Sequence, residues 1–557
     1  MADQAVCPII YVRGFAGNTS GIDSATDDPF YGFNAGATHV RVDGDGKPQF
    51  YQFEGPLVRL VEDEDYRVVV HGGQQAYLAS VGDGTQPVKS IWIYRFYDAA
   101  ADTFGVAATP YSLPAAAKGL LTFADLVRAK TGAEKVWLVA HSMGGLICRS
   151  MIQKVCPEAG RQAGDFVDKF FTYATPHNGI AFAFAGLNIN VPELAPLGAE
   201  IFNRDVMYGY LTPDSTLQGT PDRPDDWDAH DLRGSFDPAR VFCLIGTNAA
   251  DYGLVSKAVG PKSDGLVQID NAYVRQANRS FVHRSHSGTY GEVNSEEGYQ
   301  NLRRFLYGTR RAMAELVGAQ LPPPTKPDVT DIWQAEVRVS IRGLPVLISE
   351  QMAAHYCPIE LGSVAGANAG NGGGSGADND AVSPGTGPAV AAGAAVPLAA
   401  VFLLDPQRAG QMQRENLQAG TASPRCRYFL HLKLLHLQEK HGLFFWQNHL
   451  ETLPEWEDAL IVDVGPGDNG QGEHLWAAWQ SDNPDVTSAA DPITDQWLEP
   501  DSGAGGPLTF TIPLPLAGQH LLGPRSTGAR SAGAPSAGAP SAEGTPAAIK
   551  LTVQGLS

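Results

Sequence analysis

The sequence around Ser142 constrains the fold of this chain more than any other feature. Ser142 lies in Ala140–Gly145, which reads AHSMGG, directly after the apolar run Val136–Val139 and directly before a stretch with helical spacing. Small residues two positions before and two after a serine let the backbone turn sharply from a strand into a helix. The pattern therefore predicts a strand, a tight turn that presents the Ser142 hydroxyl, and a helix.

Short apolar runs alternate with helical stretches up to about Gly308. The runs are rich in β-branched and aromatic residues, as buried strands are, and they are Cys7–Val12, Ser90–Phe96, Lys135–Ala140, Lys169–Ala174, Arg240–Gly246 and Ser280–Arg284. Helices are predicted at Ala115–Thr131 and Gly144–Cys156, and a last helix is predicted from Asn294, with Glu297 closing a capping box, to Gly308. This order predicts an α/β fold with a mainly parallel sheet covered by helices.

A different pattern follows the Pro-rich connector at residues 321–327. Apolar and polar residues alternate with period two at Ala335–Ile341, Tyr428–Leu434, Ala459–Val464, Leu508–Leu514 and Ile549–Val553. Such alternation is typical of half-buried antiparallel strands. We therefore expect an α/β domain over 1–320 and a β-rich, sandwich-like domain over 328–557, with flexible Gly- and Ala-rich segments at 362–388 and 523–547.

Composition and charge exclude several classes of function. The formal net charge is -20, and no run rich in Lys and Arg offsets it, which argues against a nucleic-acid partner. The six cysteines lie far apart without Cys-x-x-Cys pairs, so neither a zinc site nor a disulfide framework is expected. His431, His436, His441 and His449 lack the spacing of metal ligands, and Trp446, Trp456, Trp476 and Trp479 fit core packing. No cofactor or metal is expected.

Neither a leader nor a membrane span is evident in the sequence. Residues 1–5 carry no basic segment, and the apolar run Val6–Val12 is too short for a secretory signal. Ala389–Leu404 is shorter than the roughly 18–20 residues of a spanning helix and contains Pro397. These features predict a cytoplasmic protein, with signal-independent export left open.

Serine becomes an effective nucleophile when a positioned base takes its proton and a carboxylate holds that base. In strand–serine–helix folds of this kind the chain order is Ser, then Asp or Glu, then His. Asp264 follows the predicted strand Arg240–Gly246 in a Ser-Asp-Gly loop and is the preferred acid, with Asp251 and Asp270 as alternatives.

Two histidines compete for the role of base. His286 follows the last predicted strand and precedes Ser-Gly, which permits a turn toward Ser142, and His283 is the alternate base. Three residues apart on an extended strand, their side chains point to opposite faces. We therefore prefer His286.

Acyl transfer also requires hydrogen-bond donors for the developing oxyanion. The backbone N–H of Met143, at the start of the predicted helix, is one candidate. Phe15 is the second, because the glycines of Arg13–Gly17 allow its N–H to turn into the site; an ordinary Gly turn is the alternative.

The first 310 residues or so resemble the bacterial lipases and the GPI-inositol deacylase-like group of the α/β-hydrolases. The shared motifs are Arg13–Gly17, Ala140–Leu146, Thr175–Gly179, and the loops that hold Asp264 and His286. Arg13 and Ala140 depart from the pattern, since many such lipases have His and Gly there. The resemblance implies an α/β-hydrolase fold and a carboxylic ester hydrolase that needs no cofactor.

The resemblance also implies a lid over Ile180–Ala239. Its apolar residues would line an acyl pocket, meet a lipid surface or pack on the core; they are Phe182, Phe184, Leu187, Ile189, Val191, Leu194 and Leu197. His177 is assigned a structural role, because it precedes Asp264 in the chain.

Three functions remain open at this point. The preferred one is a lipase or esterase that cleaves a lipid or other apolar ester through Ser142, His286, Asp264 and an acyl-enzyme. The second is a phospholipase acting as an exported toxin or effector, whose C-terminal β domain contacts a membrane or a protein partner. The third is a non-catalytic binding protein on a hydrolase scaffold.

Overall fold

The computed structural model describes residues 6–15, 26, 41–42, 48–49, 54–69, 74–101, 111–181, 199–250, 259–287, 290–324, 326–327, 329–365, 395–405, 426–440, 450–466, 473–483, 497–501, 506–523 and 546–556. The chain divides into two compact units, residues 1–307 and residues 308–557. The sequence prediction ends the first domain at 320, whereas the division falls directly after the last helix of the first unit.

A parallel sheet forms the centre of the first unit. Its strands are β1 Ile9–Val12, β4 Arg67–Val69, β5 Ser90–Ile93, β6 Val136–His141, β7 Val167–Tyr173, β8 Val241–Gly246 and β9 Asn278–Val282; a small ribbon pairs β2 Arg41–Val42 with β3 Pro48–Gln49. The sheet order is β4-β5-β1-β6-β7-β8-β9, and every pairing in it is parallel. The predicted parallel sheet is confirmed.

Helices accompany this sheet. They are α1 Glu54–Glu64, α2 Gln74–Ser80, α3 Leu113–Thr131, α4 Met143–Ser150, which continues through a π turn at Met151–Val155 into α5 Cys156–Glu158, α6 Arg204–Leu211, α7 Asp214–Leu217 and α8 Glu296–Tyr307. Local sequence explains the bounds of α3. The Ser112 hydroxyl accepts from the N–H of Ala115, and Gly132 ends the helix with φ 72°.

The predicted cap of the last helix is wrong by one residue. Ser295, rather than Asn294, caps α8, because its hydroxyl accepts from the N–H of Gly298 at 2.9 Å. Both residue types accept well at this position, and the neighbouring backbone decides between them. Gly298 also fits closely there, since a Cβ on it would lie 2.1 Å from the Glu292 carbonyl oxygen.

The second unit consists of antiparallel sheets. Its strands are β10 Arg310–Val317, β11 Val329–Ile341, β12 Leu347–Gln351, β13 Ile359–Ala365, β14 Val396–Leu403, β15 Cys426–Lys440, β16 Leu450–Pro466, β17 Glu473–Trp479, β18 Leu508–Pro513 and β19 Ala548–Gly555, with the helix α9 Leu516–Leu522. One sheet has the order β14-β10-β19-β18. The other has the order β12-β11-β15-β16-β17, with β13 also paired to β11. The predicted β-rich C-terminal region is confirmed.

Both sheets of the second unit contribute to one core. Leu316 and Leu551 come from the first sheet, and Val337, Leu432 and Leu460 come from the second. Opposite neighbours on paired strands, such as Val337 and Leu432, keep the apolar side chains in register on one face. The period-two alternation in the sequence arises from this one-sided burial.

Several predicted boundaries shift in the second unit. β10 precedes the Pro-rich connector, so residues 321–327 join two strands of this unit rather than two domains. The segments predicted to be flexible begin and end in ordered structure: 362–365 belong to β13, and Ala547 is fully buried. Residues 366–388 and 524–545 lie outside the described part of the chain.

No helix among the described residues is both long and apolar enough to cross a membrane. Within the weak candidate Ala389–Leu404, the described part is mostly the strand β14.

Candidate active site

Ser142 occupies the turn between β6 and α4, at the carboxyl edge of the sheet. Its backbone has φ 52° and ψ -127°, a conformation rare for a residue with a side chain. The glycines that follow are required by packing. A Cβ on Gly144 would lie 2.1 Å from the Val12 carbonyl oxygen, and one on Gly145 would lie 2.2 Å from the Thr175 hydroxyl. The small residues therefore let α4 begin directly against the sheet.

A hydrogen-bonded chain links the three side chains selected from the sequence. His286 Nε2 lies 3.0 Å from Ser142 Oγ, and His286 Nδ1 lies 2.9 Å from Asp264 Oδ2. The carboxylate accepts from Nδ1–H, so Nε2 is left to accept the Ser142 proton. The relative exposures are 3% for Ser142, 3% for His286 and 1% for Asp264, which strengthens these polar contacts.

Backbone amides fix the carboxylate of Asp264. Its Oδ1 accepts from the N–H of Leu266 at 2.9 Å and from that of Val267 at 2.7 Å. With Oδ1 occupied in this way, Oδ2 is directed at the His286 ring. The backbone of the Ser-Asp-Gly-Leu-Val loop thus orients the carboxylate of Asp264.

His141, which the sequence analysis did not single out, holds the backbone of His286. The His141 ring bonds the His286 carbonyl oxygen through Nε2 at 2.9 Å, and the two ring centroids lie 4.9 Å apart. A carbonyl only accepts, so His141 carries its proton on Nε2. Burial, together with repulsion from a charged His286, places the His141 pKa well below its usual range. His141 is therefore a neutral donor, and its position beside Ser142 in the motif was the available sequence signal.

Glu292 is a second residue that the sequence did not reveal. Its exposure is 0%, and its carboxyl oxygens find no hydrogen-bond partner among the described residues. Its backbone N–H donates to the carbonyl of Ser285, next to His286. Burial raises the pKa of Glu292 well above its usual range, and the negative charge of Asp264 raises it further. Burial and the nearby Asp264 carboxylate therefore both favour the neutral form of the Glu292 carboxyl.

The two predicted oxyanion donors lie on segments that flank Ser142. Met143 is the first residue of α4, where backbone N–H groups have no partner within the helix. A Cβ on Gly14 would lie 2.8 Å from Ser142 Cβ, which places the turn that holds Phe15 against the serine. The Phe15 ring meets Phe202 edge-on at 6.2 Å.

The described alternatives, His283 and Asp270, make contacts with residues other than Ser142. His283 is exposed, with Nδ1 at 3.3 Å from the Thr247 hydroxyl. Asp270 forms an ion pair with Lys262 at 2.7 Å, and Asp251 lies outside the described residues. His177 is fully buried, and its Nε2 lies 3.1 Å from the Thr172 hydroxyl.

Part of the predicted lid region, 199–239, is hydrogen-bonded to the helix α4, which begins directly after Ser142. The buried Arg149 of α4 donates to the carbonyls of His177 at 2.7 Å and Asp231 at 3.3 Å. Lys154 donates to the carbonyl of Gly209 in α6 at 2.9 Å. The apolar residues proposed as an acyl-facing surface, within 182–198, lie outside the described residues.

The described residues contain no group of three or more His, Cys, Asp or Glu side chains arranged to hold a metal ion. In the second unit, His436 lies between Asp331 and Glu455 and stacks on Trp333 at 4.7 Å. His441, His449 and Trp446 lie outside the described part of the chain. The six cysteines are all buried, and none of them forms a disulfide.

Comparison with known families gives a match over one segment of the first unit. Residues 117–201 match the family described as "Putative serine esterase (DUF676)". No curated protein matches the chain significantly.

Similar solved structures include a mature lipase, BlEst2, from Bacillus licheniformis (14% identity, covering 54% of this chain and 91% of that one, TM-score 0.29). A gene product of Listeria innocua is also similar (16% identity, 55% and 94% covered, TM-score 0.23). Aspergillus fumigatus lipase B is a third (13% identity, 49% and 44% covered, TM-score 0.23).

The first unit therefore combines a seven-stranded parallel sheet with a segment, residues 117–201, that matches the model of a serine esterase family and includes Ser142. The predicted resemblance to serine esterases is confirmed over this segment.

Proposed function

We propose that this chain hydrolyses carboxylic esters with an apolar acyl group, with Ser142 as nucleophile, His286 as general base and acid, and Asp264 as the residue that orients and stabilises His286. The observation that carries the proposal is the unbroken chain of contacts from Ser142 Oγ to His286 Nε2, at 3.0 Å, and from His286 Nδ1 to Asp264, at 2.9 Å.

In the proposed first step, His286 Nε2 takes the Ser142 proton as Oγ bonds to the ester carbonyl carbon. The N–H groups of Met143 and Phe15 donate to the resulting oxyanion. The bond to the alcohol oxygen then breaks, and that oxygen takes the proton from Nε2. Water then attacks the carbonyl carbon of the acyl-enzyme while His286 Nε2 takes its proton. The bond to Ser142 Oγ breaks and Oγ takes that proton, which releases the carboxylic acid and restores the Ser142 hydroxyl.

The surroundings of Ser142 favour an apolar substrate. Phe15 packs against Phe202 beside the serine, and the Tyr111 hydroxyl lies 3.6 Å from the sulfur of Met143. The hydrogen-bonded serine, histidine and aspartate favour an active hydrolase over a non-catalytic binding protein, which needs no such proton path.

Hydrolysis of 4-nitrophenyl butyrate tests the activity. Wild type should turn over, Ser142→Ala should lose at least about 10³-fold in kcat, and Ser80→Ala, at an exposed serine of α2, should behave as wild type. Absence of turnover by folded wild type, or equal rates for wild type and Ser142→Ala, would reject the proposal.

The lipid class is a separate question. The triacylglycerol lipase and the exported phospholipase predicted from the sequence both use the same chemistry. Incubation of wild type and Ser142→Ala with a total lipid extract, followed by mass spectrometry, distinguishes them: loss of triacylglycerols supports the first, and release of lysophospholipids supports the second.

A further inference from the structure

The imidazole of His230 joins two segments that are distant in the sequence. Its Nδ1 lies 2.9 Å from Oδ1 of Asp228, and its Nε2 lies 2.8 Å from the carbonyl oxygen of Asp270. Only 14% of the side chain is exposed. The first segment, residues 228–231, belongs to the predicted lid region, and we call it the cap turn. We call the second segment, residues 262–271, the acid loop.

The acid loop holds the proposed catalytic acid, Asp264. The N–H of Ile269 donates to the carbonyl of Lys262 at 3.1 Å, which closes the loop around Asp264. The short turn Ile269–Asn271 follows directly, and the carbonyl that His230 contacts belongs to this turn. The His230 ring therefore attaches the cap turn to the acid loop.

Both partners of the His230 ring are hydrogen-bond acceptors. A backbone carbonyl only accepts, and an ionised carboxylate only accepts. Burial alone would raise the pKa of the Asp228 carboxyl, but hydrogen bonds from His230 and Arg275 lower it below its usual value. A neutral imidazole carries a single N–H and can donate to one of the two partners. Both contacts together therefore require the doubly protonated, positively charged ring.

The nearest charged groups around His230 form ion pairs of their own. The exposed Arg275 pairs with Asp228, and Lys262 pairs with the side chain of Asp270 at 2.7 Å. Asp228 thus serves both His230 and Arg275. Because each of these two cations has an acidic partner, neither stands as an uncompensated positive charge beside the imidazolium.

Further titratable or charged groups surround His230 from each side. They are Asp231 in the cap turn, Tyr273 and Arg279 after the acid loop, Arg149 on α4 and His177 after β7. The Tyr273 ring stacks on the imidazole at 4.6 Å. Burial, followed by the charges of Arg149 and His230, places the His177 pKa well below its usual range, so His177 is neutral. Arg149 and Arg279 oppose a charge on His230, and Asp228 favours it.

We propose that His230 is a pH-dependent attachment between the cap turn and the acid loop. The doubly protonated ring holds both segments. Loss of one proton to water leaves a nitrogen lone pair facing an acceptor, which breaks one of the two hydrogen bonds. The attachment is therefore strongest in acid and weakens as the pH rises through the range in which imidazole titrates, about pH 6.5 in the absence of partners. It does not depend on the proposed ester hydrolysis.

Hydrogen–deuterium exchange of the full-length chain tests the proposal. Exchange is measured by mass spectrometry at about pH 6 and about pH 8 in peptides that cover the cap turn and residues 269–275, and is corrected for the rate of unstructured peptides at each pH. The N–H of Arg275 donates to the His230 carbonyl at 2.9 Å, so it reports on the same attachment. We expect wild-type protection to fall at least about threefold at the higher pH, because a hydrogen bond of a charged group is lost. The fall should exceed any change in α3, which reports on the first unit as a whole.

Three variants complete the test. His230→Gln keeps an N–H donor for the Asp270 carbonyl but does not titrate, so its pH dependence should match that of α3. Asp228→Ala leaves the ring the Asp270 carbonyl, which a neutral imidazole satisfies, and should lose the pH dependence as well; it serves if His230→Gln is poorly folded. His520→Gln, at an exposed histidine of α9, is the matched control and should behave as wild type.

Two results would overturn the proposal. One is equal protection of the cap turn at both pH values in wild type. The other is an unchanged pH dependence in folded His230→Gln or Asp228→Ala.

Discussion

His141 joins the proposed nucleophile and the proposed base, because it is covalently next to Ser142 and hydrogen-bonded to the carbonyl of His286. The opposite side of the His286 backbone is held as well, since its N–H donates to the Asp264 carbonyl at 2.9 Å. The base is therefore positioned through its main chain as well as through its ring. We infer that His141 is a positioning residue.

Removal of the His141 donor should affect turnover rather than binding. His141→Phe should lower kcat by about 10- to 100-fold, because small displacements of a catalytic group are costly, with KM within about twofold. His141→Gln keeps an N–H donor and should recover much of the rate. Steady-state kinetics, with thermal melting as a check on folding, measure this; equal losses in both variants would show that the hydrogen bond is irrelevant.

The buried carboxyl of Glu292 should make stability depend on pH. Between its ordinary pKa of 4.5 and its raised folded pKa, only the unfolded chain loses this proton, so stability falls as the pH rises. Glu292→Gln removes the proton linkage and should raise the melting temperature of the first unit at pH 8 by about 2 °C or more, with a smaller gain at pH 4.5.

Calorimetry at both pH values measures the effect of Glu292→Gln. The matched control is Glu134→Gln, at an exposed glutamate, which should change little at either pH. A gain that is the same at pH 4.5 and pH 8 would contradict the assignment of a neutral buried carboxyl.

At the scale of elements, the turn between β6 and α4 depends on a glycine that the sequence motif requires. Gly144→Ala would place a methyl group 2.1 Å from a backbone oxygen of β1, and backbone cannot move aside cheaply. We expect a loss of at least about 3 kcal/mol in the free energy of unfolding.

Gly209→Ala is the control for Gly144→Ala, because it is also in a helix but has no atom within 4 Å of the added Cβ. It should stabilise the protein by about 0.5–1 kcal/mol. Denaturant unfolding compares the two variants, and similar behaviour of both would contradict the packing account.

Sequence patterns predicted the central elements well because burial and turns leave local signals. The run Lys135–Ala140 corresponds to β6 with one residue of shift, and the Ser-Asp-His order led to three residues that lie in contact. The edge strand β4 has only three residues, two of them half-buried, and the sequence analysis missed it. Burial of Glu292 depends on packing between distant segments, which no local pattern encodes.

At the scale of the whole molecule, the second unit has its own core and its own buried ion pair. Arg427 and Asp463, opposite each other on β15 and β16, form two hydrogen bonds at 2.8 and 2.9 Å, with side-chain exposures of 2% and 0%. Asp463→Ala removes the carboxylate that lies against the buried guanidinium and should cost about 3–5 kcal/mol. The rate at which a fluorophosphonate labels Ser142 should stay within about twofold.

The exposed pair of Arg338 on β11 and Glu457 on β16, at 2.8 Å across the intervening strand β15, is the control. Glu457→Ala should cost less than about 1 kcal/mol. Thermal unfolding and labelling of both variants provide the comparison. Loss of labelling in folded Asp463→Ala would contradict the expectation that the site is assembled within the first unit alone.

The most direct test of the central claim is to locate the adduct of a fluorophosphonate on the folded full-length chain by peptide mass spectrometry. The account predicts one adduct, on Ser142, labelling at least about 100-fold slower in His286→Ala, and none in Ser142→Ala. An adduct on another serine, equal labelling of Ser142→Ala, or no labelling of the folded wild type would contradict it.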